Sequence, residues 1–351
     1  MEIKTNSLKY PIPEEELHKK RLGKHTLERI IVSGDDWTQR RSGSVYHYTS
    51  PEGLRGIISS RSVYFTDCQF LNDYMERTNI NDSLHWFWEC NSSQYDADFV
   101  NLLKDIRVEG YEDSETAYML SDRPYDGVKS ATRYFVFSTS NNRDDLNMWK
   151  YYAKDNSYNG YSIGLLTYVL SDEWVELMDE YPEQIEIMGG LVAYNDSDKR
   201  EIILDAVNRL YRVWCEYKRS KQLDQKIYND FKSWTAVASL FFKDHAFYGE
   251  EEYRYIAAVS VDALNNLTYT EPTGKSVKMY DFRVVNGVFV PFIRMPFYFY
   301  NGPECWAINS ITIAPSLNAE QKKLGLERFL NSVNYELVKL QINTSSIPLR
   351  Y

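Results

Sequence analysis

The stretch SVYHYTSPEGLRGIISSRSVYFTD, residues 44–67, contains the pattern that decides the fold. Its two ends are rich in β-branched and aromatic residues, which is typical of strands. Between them, Ser50 is a good helix N-cap and Pro51 suits the first helical position, and apolar residues then recur at helical spacing as far as Ile58. The stretch therefore predicts a strand, a helix and a second strand in close succession.

Segments with strand or helix patterns continue along the chain and define the fold class. Strand composition recurs at 133–138, 160–165, 184–194, 252–260, 267–271, 277–285, 287–294 and 308–314. Helical periodicity is found near 146–152 and over 198–218, 231–245 and 318–340. We therefore predict an α+β fold in which helices are inserted between the strands of a mostly antiparallel or mixed sheet.

The chain divides into a polar beginning and one long patterned region. Residues 1–43 are polar and charged, and we expect an N-terminal arm or lid there. Residues 44–351 are expected to form a single elaborated domain, since no linker marks a boundary within them. Within that domain, the acidic and aromatic segment at about 81–130 is expected to be a helical insertion.

Composition limits the class of protein. The formal charge is −10, from 50 acidic and 40 basic residues, which argues against a protein that coats nucleic acid through bulk charge. No run approaches the ~20 apolar residues that a membrane-spanning helix needs. The four cysteines are scattered, without a CxxC pair, so we expect neither a disulfide framework nor a zinc cluster. These features predict a cytoplasmic protein without a membrane partner.

The signatures of several common enzyme classes are missing. The sequence has no GxxxxGK[ST] phosphate loop, no GxGxxG after a strand, no HExxH and no GxSxG. It does have 29 tyrosines, and a tyrosine-rich cleft is well suited to stacking a flat ring.

Several motifs together resemble one bacterial family. They are YHYTSPEGLRGIISSRSVYFTDCQFLNDYMER (46–77), FVFSTS (135–140), MWKYYA (148–153), YNGYSIGL (158–165) and FYGEEEYRYI (247–256). With these motifs the chain resembles the domain-of-unknown-function family 2971, over most of residues 44–260 and much of the strand-rich region that follows.

A second, looser resemblance carries a mechanism. A His-x-Thr strand, a helix with L-x-x-I-I and a strand ending Tyr-Phe-Thr-Asp are similar to the NAD-binding half of diphtheria-toxin-like and poly(ADP-ribose)-polymerase-like ADP-ribosyltransferases. That resemblance implies an ADP-ribosyltransferase-like split sheet with NAD as substrate and no metal. It assigns the histidine to His47, the tyrosine to Tyr64 and the glutamate to Glu250, Glu251 or Glu252, with Glu252 favoured because it enters a strand.

The resemblance also implies a role for each candidate residue. Breaking the nicotinamide–ribose bond builds positive charge on the ribose, which a carboxylate such as that of Glu252 would stabilise. Aromatic rings would hold the nicotinamide, Tyr64 on one face and Tyr74 as a second face. His47 would bind NAD by hydrogen bonds rather than transfer protons. Two further cofactor-binding candidates are Thr49, in the His-x-Thr motif, and Ser138, on a hydroxyl-bearing strand.

We therefore expect a toxin-like or antiphage effector that transfers ADP-ribose from NAD to a nucleic acid or a protein, with an antitoxin or other inhibitory protein as a further partner. One alternative is a metal-dependent nuclease that uses Asp67, Asp73, Glu76 and the 250–252 glutamates. The other is a binding module that senses a nucleotide or a phage protein without chemistry. Arg254 is expected to pair with a glutamate at the surface, and Lys243 to lie at a solvated helix end.

Overall fold

The strand–helix–strand unit predicted from the sequence is present. β1 (Ser44–Thr49) leads into α1 (Pro51–Ser60), which is followed by β2 (Ser62–Asp67). The Ser50 hydroxyl accepts a hydrogen bond from the Gly53 amide at 3.2 Å, as expected of an N-cap, and Pro51 opens the helix. The helix ends at Arg61, whose φ of +48° is in the left-handed region and turns the chain back into β2.

The structure, a computed structural model, describes residues 43–71, 78–108, 132–152, 159–181, 184–216, 221–271, 274–297, 307–333 and 340–348. The predicted arm, apart from Gly43, lies outside these ranges, and so do Tyr74 and the 109–130 part of the predicted insertion. In the part of the chain that is described, no helix is long and apolar enough to cross a membrane.

Ten of the described strands form one sheet. The strands after β2 are β3 (Thr132–Ser140), β4 (Tyr161–Leu166), β5 (Ile185–Leu191), β6 (Glu252–Ser260), β7 (Thr268–Thr270), β8 (Ser276–Lys278), β9 (Tyr280–Val285), β10 (Val288–Pro296), β11 (Ile308–Ile313) and β12 (Gln341–Thr344). The strand order is β12-β11-β4-β1-β3-β2-β10-β9, and β6 pairs with β3 and with β5. All pairs are antiparallel except β11 with β12. The predicted α+β fold with a mostly antiparallel, mixed sheet is confirmed.

The sheet is split beside β3. β6 pairs with β3 along its whole length, so β1 and β2 share the other edge of β3. β2 meets β3 at Phe135 and Val136, and β1 meets it only at Ser140. Neither strand is paired with residues 137–139, so β1 and β2 diverge and leave a gap between them. This gap places side chains of both strands around one opening.

The two faces of the sheet bury separate apolar clusters. Alternate residues of β3 go to opposite sides, as period-2 geometry requires: Phe135 and Phe137 join one cluster, and Tyr134 and Val136 join the other. The first cluster is covered by α1 and by α5 (Thr167–Glu180). The second is covered by α2 (Asn79–Asn91), α3 (Ala97–Leu103), α6 (Asp196–Glu216) and α7 (Lys221–Ala238), and α4 (Leu146–Tyr152) and α8 (Ala319–Ser332) complete the helices.

Three elements differ from the sequence prediction. α5 was not predicted, although Leu170, Trp174 and Leu177 follow helical spacing and are buried. α7 begins at Lys221 and ends at Ala238, instead of covering 231–245. The last helix ends at Ser332 rather than 340, and the chain then adds β12 beside β11.

Candidate active site

A cleft of about 710 Å³ opens at the split in the sheet. This volume lies within the range of about 300–1,000 Å³ typical of small-molecule sites. Its walls include the predicted residues His47, Thr49, Tyr64, Ser138 and Glu252. The structure therefore brings five of the six predicted site residues to one cleft, and the sixth, Tyr74, lies outside the described residues.

His47 lies on β1, beside the open edge of β3. Its Nδ1 is 3.1 Å from the backbone oxygen of Ser138, and its ring packs against Phe137 with centroids 4.8 Å apart. Burial lowers the pKa of His47 from 6.5 to about 4, so the ring is neutral at pH 7. A carbonyl oxygen only accepts hydrogen bonds, so Nδ1 carries the proton and Nε2 is left as an acceptor. His47 is thus suited to bind a hydroxyl group.

Tyr64 lies across the gap, on β2. One face of its ring stacks on Phe292 of β10, with centroids 4.1 Å apart and an interplanar angle of 20°. This stacking fixes the ring orientation while part of the side chain stays in the cleft wall. A ring held in this way offers a preorganised surface to a flat ligand.

Thr49 ends β1 where α1 begins, in close contact with the first helical turn. A Cβ atom at Gly53 would lie 2.0 Å from the Thr49 hydroxyl oxygen, so only glycine allows this approach. The close packing places Thr49 at the wall of the cleft beside the helix start.

The three consecutive glutamates do not share one environment. Glu251 has φ +42°, in the left-handed region, at the end of the 3-10 helix His245–Glu250. This turn leaves Glu251 exposed outside the cleft, whereas Glu250 and Glu252 both line the cleft and are 8% and 4% exposed. Glu252 is also the first residue of β6, as the sequence predicted.

Glu250 and Glu252 belong to a buried network with two cations. Arg254 donates from Nε to Oε1 of Glu252 at 3.0 Å and from Nη2 to Oε2 at 2.7 Å. The Lys243 ammonium donates to Oε2 of Glu250 at 2.7 Å and to Oε2 of Glu252 at 3.3 Å. Arg254 is held in turn by the Leu240 carbonyl oxygen.

The network shifts the pKa values of the two carboxyl groups in opposite directions. Burial would raise the pKa of Glu252, but the charges of Arg254 and Lys243 and the hydrogen bonds from Arg254 and Ser138 outweigh it and lower that pKa from 4.5 to about 2. For Glu250, burial prevails over the attraction of Lys243, and its pKa is raised. Opposed shifts in one cleft are a feature of acid–base sites.

The two carboxylates also differ in free hydrogen-bonding capacity. A carboxylate has about four acceptor positions, and Glu252 accepts three side-chain hydrogen bonds: two from Arg254 and one from Lys243. Within the described residues, Glu250 receives a side-chain bond only on Oε2, from Lys243. Its Oε1 is the carboxylate oxygen open to a ligand.

Ser138 connects the two sides of the cleft. Its backbone oxygen accepts from His47 of β1, and its hydroxyl contributes to the lowered pKa of Glu252 on β6. The sequence predicted Ser138 as a cofactor contact, and Ser138 lines the cleft. Its position at the open edge of β3 is what brings His47 and Glu252 to the same cleft.

Two basic residues behave differently from the sequence prediction. Lys243 was expected at a solvated helix end, but it is 6% exposed and paired with two glutamates. Arg254 was expected in a surface pair, but it is 1% exposed.

Sequence reasoning missed Arg283 of β9, which also lines the cleft and donates to the Thr66 hydroxyl at 2.8 Å. Its signal was the Asn286-Gly287 turn, which predicts a hairpin but not where the hairpin lies.

Among the described residues, those proposed for a metal-dependent nuclease do not form one cluster. Asp67 is buried, pairs with Arg133 at 3.7 Å and accepts from the Gln69 amide at 3.0 Å. It is not among the residues that line the cleft. Asp73 and Glu76 lie outside the described residues, and the described ones contain no group of three His, Cys, Asp or Glu side chains that could hold a metal ion.

One segment of the chain matches a known family, and the description of that family gives no function. Residues 148–255 match the family described as protein of unknown function (DUF2971). The matched segment contains the glutamates and Arg254 but does not reach His47 or Tyr64. The predicted resemblance to this family is therefore confirmed over that segment. No curated protein and no solved structure gives a significant match.

Proposed function

We propose that this protein is an ADP-ribosyltransferase that uses NAD as its substrate. The observation that carries the proposal is that His47 and Glu252 line one cleft together with Ser138, at the split between β1 and β2. These side chains come from strands far apart in the sequence, and they meet with Tyr64 in a cleft large enough for a small molecule. This is the arrangement that the resemblance to NAD-using transferases implies.

Each cleft residue has a role in the proposed reaction. His47 accepts a hydrogen bond from a ribose hydroxyl through Nε2, and Tyr64 stacks on the nicotinamide ring. The bond between ribose C1′ and the nicotinamide nitrogen breaks, nicotinamide leaves with the electron pair, and an acceptor nucleophile forms a new bond to C1′. The fixed negative charge of Glu252 stabilises the cationic ribose.

Glu250 has a separate role in the proposal. Glu250 lines the cleft, its Oε1 accepts no side-chain hydrogen bond from the described residues, and its raised pKa brings it closer to neutral pH. These properties suit a group that accepts the proton of the acceptor nucleophile as the new bond forms. Two carboxylates would then share the work: Glu252 as a constant charge and Glu250 as the proton acceptor.

The proposal extends to the biological setting. The acceptor is a macromolecule, either nucleic acid or protein, and the protein acts as a toxin-like or antiphage effector in the cytoplasm. An antitoxin or other inhibitory protein would hold such an activity in check. The aromatic side chains at the cleft, Tyr151 and Phe247 among them, would suit a nucleobase acceptor.

The test uses NAD labelled in the adenylate moiety, incubated with the pure protein and a cell lysate. We expect free nicotinamide and label on a macromolecule, and digestion with protease or nuclease then identifies the acceptor class. Addition of a chelator should leave the activity unchanged, whereas a metal-dependent nuclease would lose its activity.

Three variants make the test specific. Glu252→Gln and Glu250→Gln should each reduce transfer by about 100-fold or more, a size typical of lost transition-state stabilisation or proton transfer. Glu251→Gln is the matched control, since Glu251 is exposed outside the cleft, and it should retain full activity. Each variant's NAD affinity and circular dichroism spectrum separate lost chemistry from lost folding. Absence of nicotinamide release by the wild-type protein would rule out the transferase.

A second candidate function is nucleotide binding without chemistry. It is favoured by one observation: protein donors occupy three of the about four acceptor positions of Glu252, so this carboxylate has little capacity left for a ribose hydroxyl. A binding module would show saturable NAD binding with no nicotinamide release. Its Glu250→Gln and Glu252→Gln variants, where folded, would keep the biological phenotype.

A further inference from the structure

One cation at the cleft lacks the carboxylate partner that the others have. Lys243 and Arg254 are neutralised by Glu250 and Glu252. Arg283, on the other side of the opening, donates to the uncharged Thr66 hydroxyl at 2.8 Å, and no ion pair joins it to any described residue. Its charge is therefore available to a ligand in the cleft.

The position of Arg283 is fixed by a tight hairpin. β9 and β10 are joined by Asn286 and Gly287, whose φ values of +50° and +81° are those of a two-residue hairpin turn with both central residues left-handed. The register then pairs Arg283 with Val290, and β10 pairs with β2, which carries Thr66. The hairpin thus brings Arg283 to the wall formed by β2, although 217 positions separate it from Thr66 in the chain.

The electrostatic surroundings of Arg283 favour an anion. Arg283 is an exposed residue, so a ligand entering the cleft can reach its guanidinium. The charge of Arg283 also helps to lower the pKa of His47, so this charge acts across the opening. An accessible guanidinium without a counter-charge can bind an anion through charge-assisted hydrogen bonds.

We propose that Arg283 and Thr66 form a subsite for the diphosphate group of a dinucleotide. A guanidinium presents paired N–H donors that match phosphate oxygens, and the Thr66 hydroxyl adds a further donor when a phosphate replaces it as the partner of Arg283. The inference rests on the proposed function for its choice of NAD as the natural ligand. The subsite lies on the β2 side of the cleft, beside Tyr64, and the carboxylates lie on the β6 side.

The test compares two probes that differ only by a diphosphate: ADP and adenosine. Calorimetric titration of the wild-type protein should show ADP binding at least tenfold more tightly than adenosine. Arg283→Gln should weaken ADP binding by about tenfold to a hundredfold, the effect of losing a charged hydrogen-bonding partner, and should leave adenosine binding unchanged. Arg283→Lys should recover part of the ADP affinity, because it restores the charge without the paired donors.

The matched control is Arg209→Gln. Arg209 lies on α6, pairs with Asp205 and is not among the residues that line the cleft, so its replacement should not change ADP affinity. The inference is overturned if Arg283→Gln binds ADP as tightly as the wild type, if adenosine matches ADP, or if the wild type binds neither probe.

The outcome is distinguishable from that of the proposed function. If Arg283→Gln loses ADP affinity but the wild type releases no nicotinamide from NAD, the subsite is supported and the transferase is rejected. If the wild type releases nicotinamide and Arg283→Gln has an unchanged KM for NAD, the transferase is supported and the subsite is rejected.

Discussion

The buried pair between Arg254 and Glu252 gives the sharpest prediction about stability. Replacing Arg254 with Met removes both hydrogen bonds to the Glu252 carboxylate and the bond to the Leu240 carbonyl oxygen. The remaining cation, Lys243, is already shared with Glu250. Because the carboxylate stays buried with half of its neutralising charge lost, we expect the free energy of unfolding to fall by about 3–5 kcal/mol.

The lowered pKa of Glu252 gives a second value for the free energy contributed by this pair. The protein lowers it from 4.5 to about 2, and each unit corresponds to about 1.4 kcal/mol, so the folded state favours the charged form by about 3 kcal/mol. Because this pKa is depressed on folding, the contribution is present above pH 4.5 and is lost as the pH falls towards 2. The stability difference between wild type and Glu252→Met should therefore narrow over that interval.

A double-mutant cycle measured by urea unfolding at pH 7 tests the reasoning. Arg254→Met and Glu252→Met should each be strongly destabilising, but the double variant should cost at least about 2 kcal/mol less than their sum, since it leaves Lys243 and Glu250 as a neutral pair. The control cycle uses Lys226 and Asp230, 3.7 Å apart on the surface of α7, where the coupling should be about 0.3–0.5 kcal/mol. Additivity within 0.5 kcal/mol at Arg254 and Glu252 would refute the argument.

Two further predictions concern the walls of the cleft, and a third concerns the attachment of residues 345–347. Because burial lowers the pKa of His47 to about 4, NAD affinity should be constant from pH 8 to 5.5, and a titration near 6.5 would contradict the neutral ring. Gly53→Ala should lower both the melting temperature and NAD affinity, because the new Cβ would meet the Thr49 hydroxyl oxygen at 2.0 Å; unchanged values would show that the first turn of α1 adapts freely. Asp144→Asn should speed hydrogen exchange at residues 345–347, because Asp144 accepts from the Ser345 hydroxyl at 2.6 Å and the Ser346 amide at 2.7 Å; exchange at the wild-type rate would count against this attachment.

The parts of the fold that the sequence predicted are those specified by local chemistry. Ser50 and Pro51 mark the start of α1 through capping and a fixed φ, which depend only on neighbouring residues. The alternation of β3 between two cores follows from strand geometry alone. The helix α5 was not predicted, because its short helical pattern lies between two segments of strand composition. Its apolar residues nonetheless recur at helical spacing.

The parts that could not be predicted depend on pairing between distant segments. Nothing in the sequence of β1 or β2 shows that both strands lie on one edge of β3, and this arrangement creates the cleft. The burial of Lys243 and Arg254 follows from the same assembly. A charged residue is expected at the surface unless its charged partner is known, and only the fold shows these partners. The place of Arg283 in the cleft could not be predicted either, because β9 reaches the cleft only through the pairing of β10 with β2.

In the proposed reaction, the geometry gives Glu250 and Glu252 different tasks. Glu252 accepts three hydrogen bonds from two cations, so its charge is fixed in place and needs no reorganisation when positive charge develops nearby. These bonds and its low pKa make it a poor acceptor for a ribose hydroxyl or for a proton. Glu250, with one open oxygen and a raised pKa, has the properties that Glu252 lacks.

The proposed transfer therefore requires both carboxylates, and loss of each should have a different effect. Loss of the Glu252 charge leaves Arg254 buried without its counter-ion, so Glu252→Gln should lower stability together with kcat. Glu250→Gln leaves the pair of Glu252 and Arg254 intact, so it should lower kcat at a smaller cost in stability. If Glu250→Gln and Glu252→Gln lost activity only in proportion to their loss of stability, both glutamates would serve to stabilise the fold. The cleft would then be a binding site without chemistry.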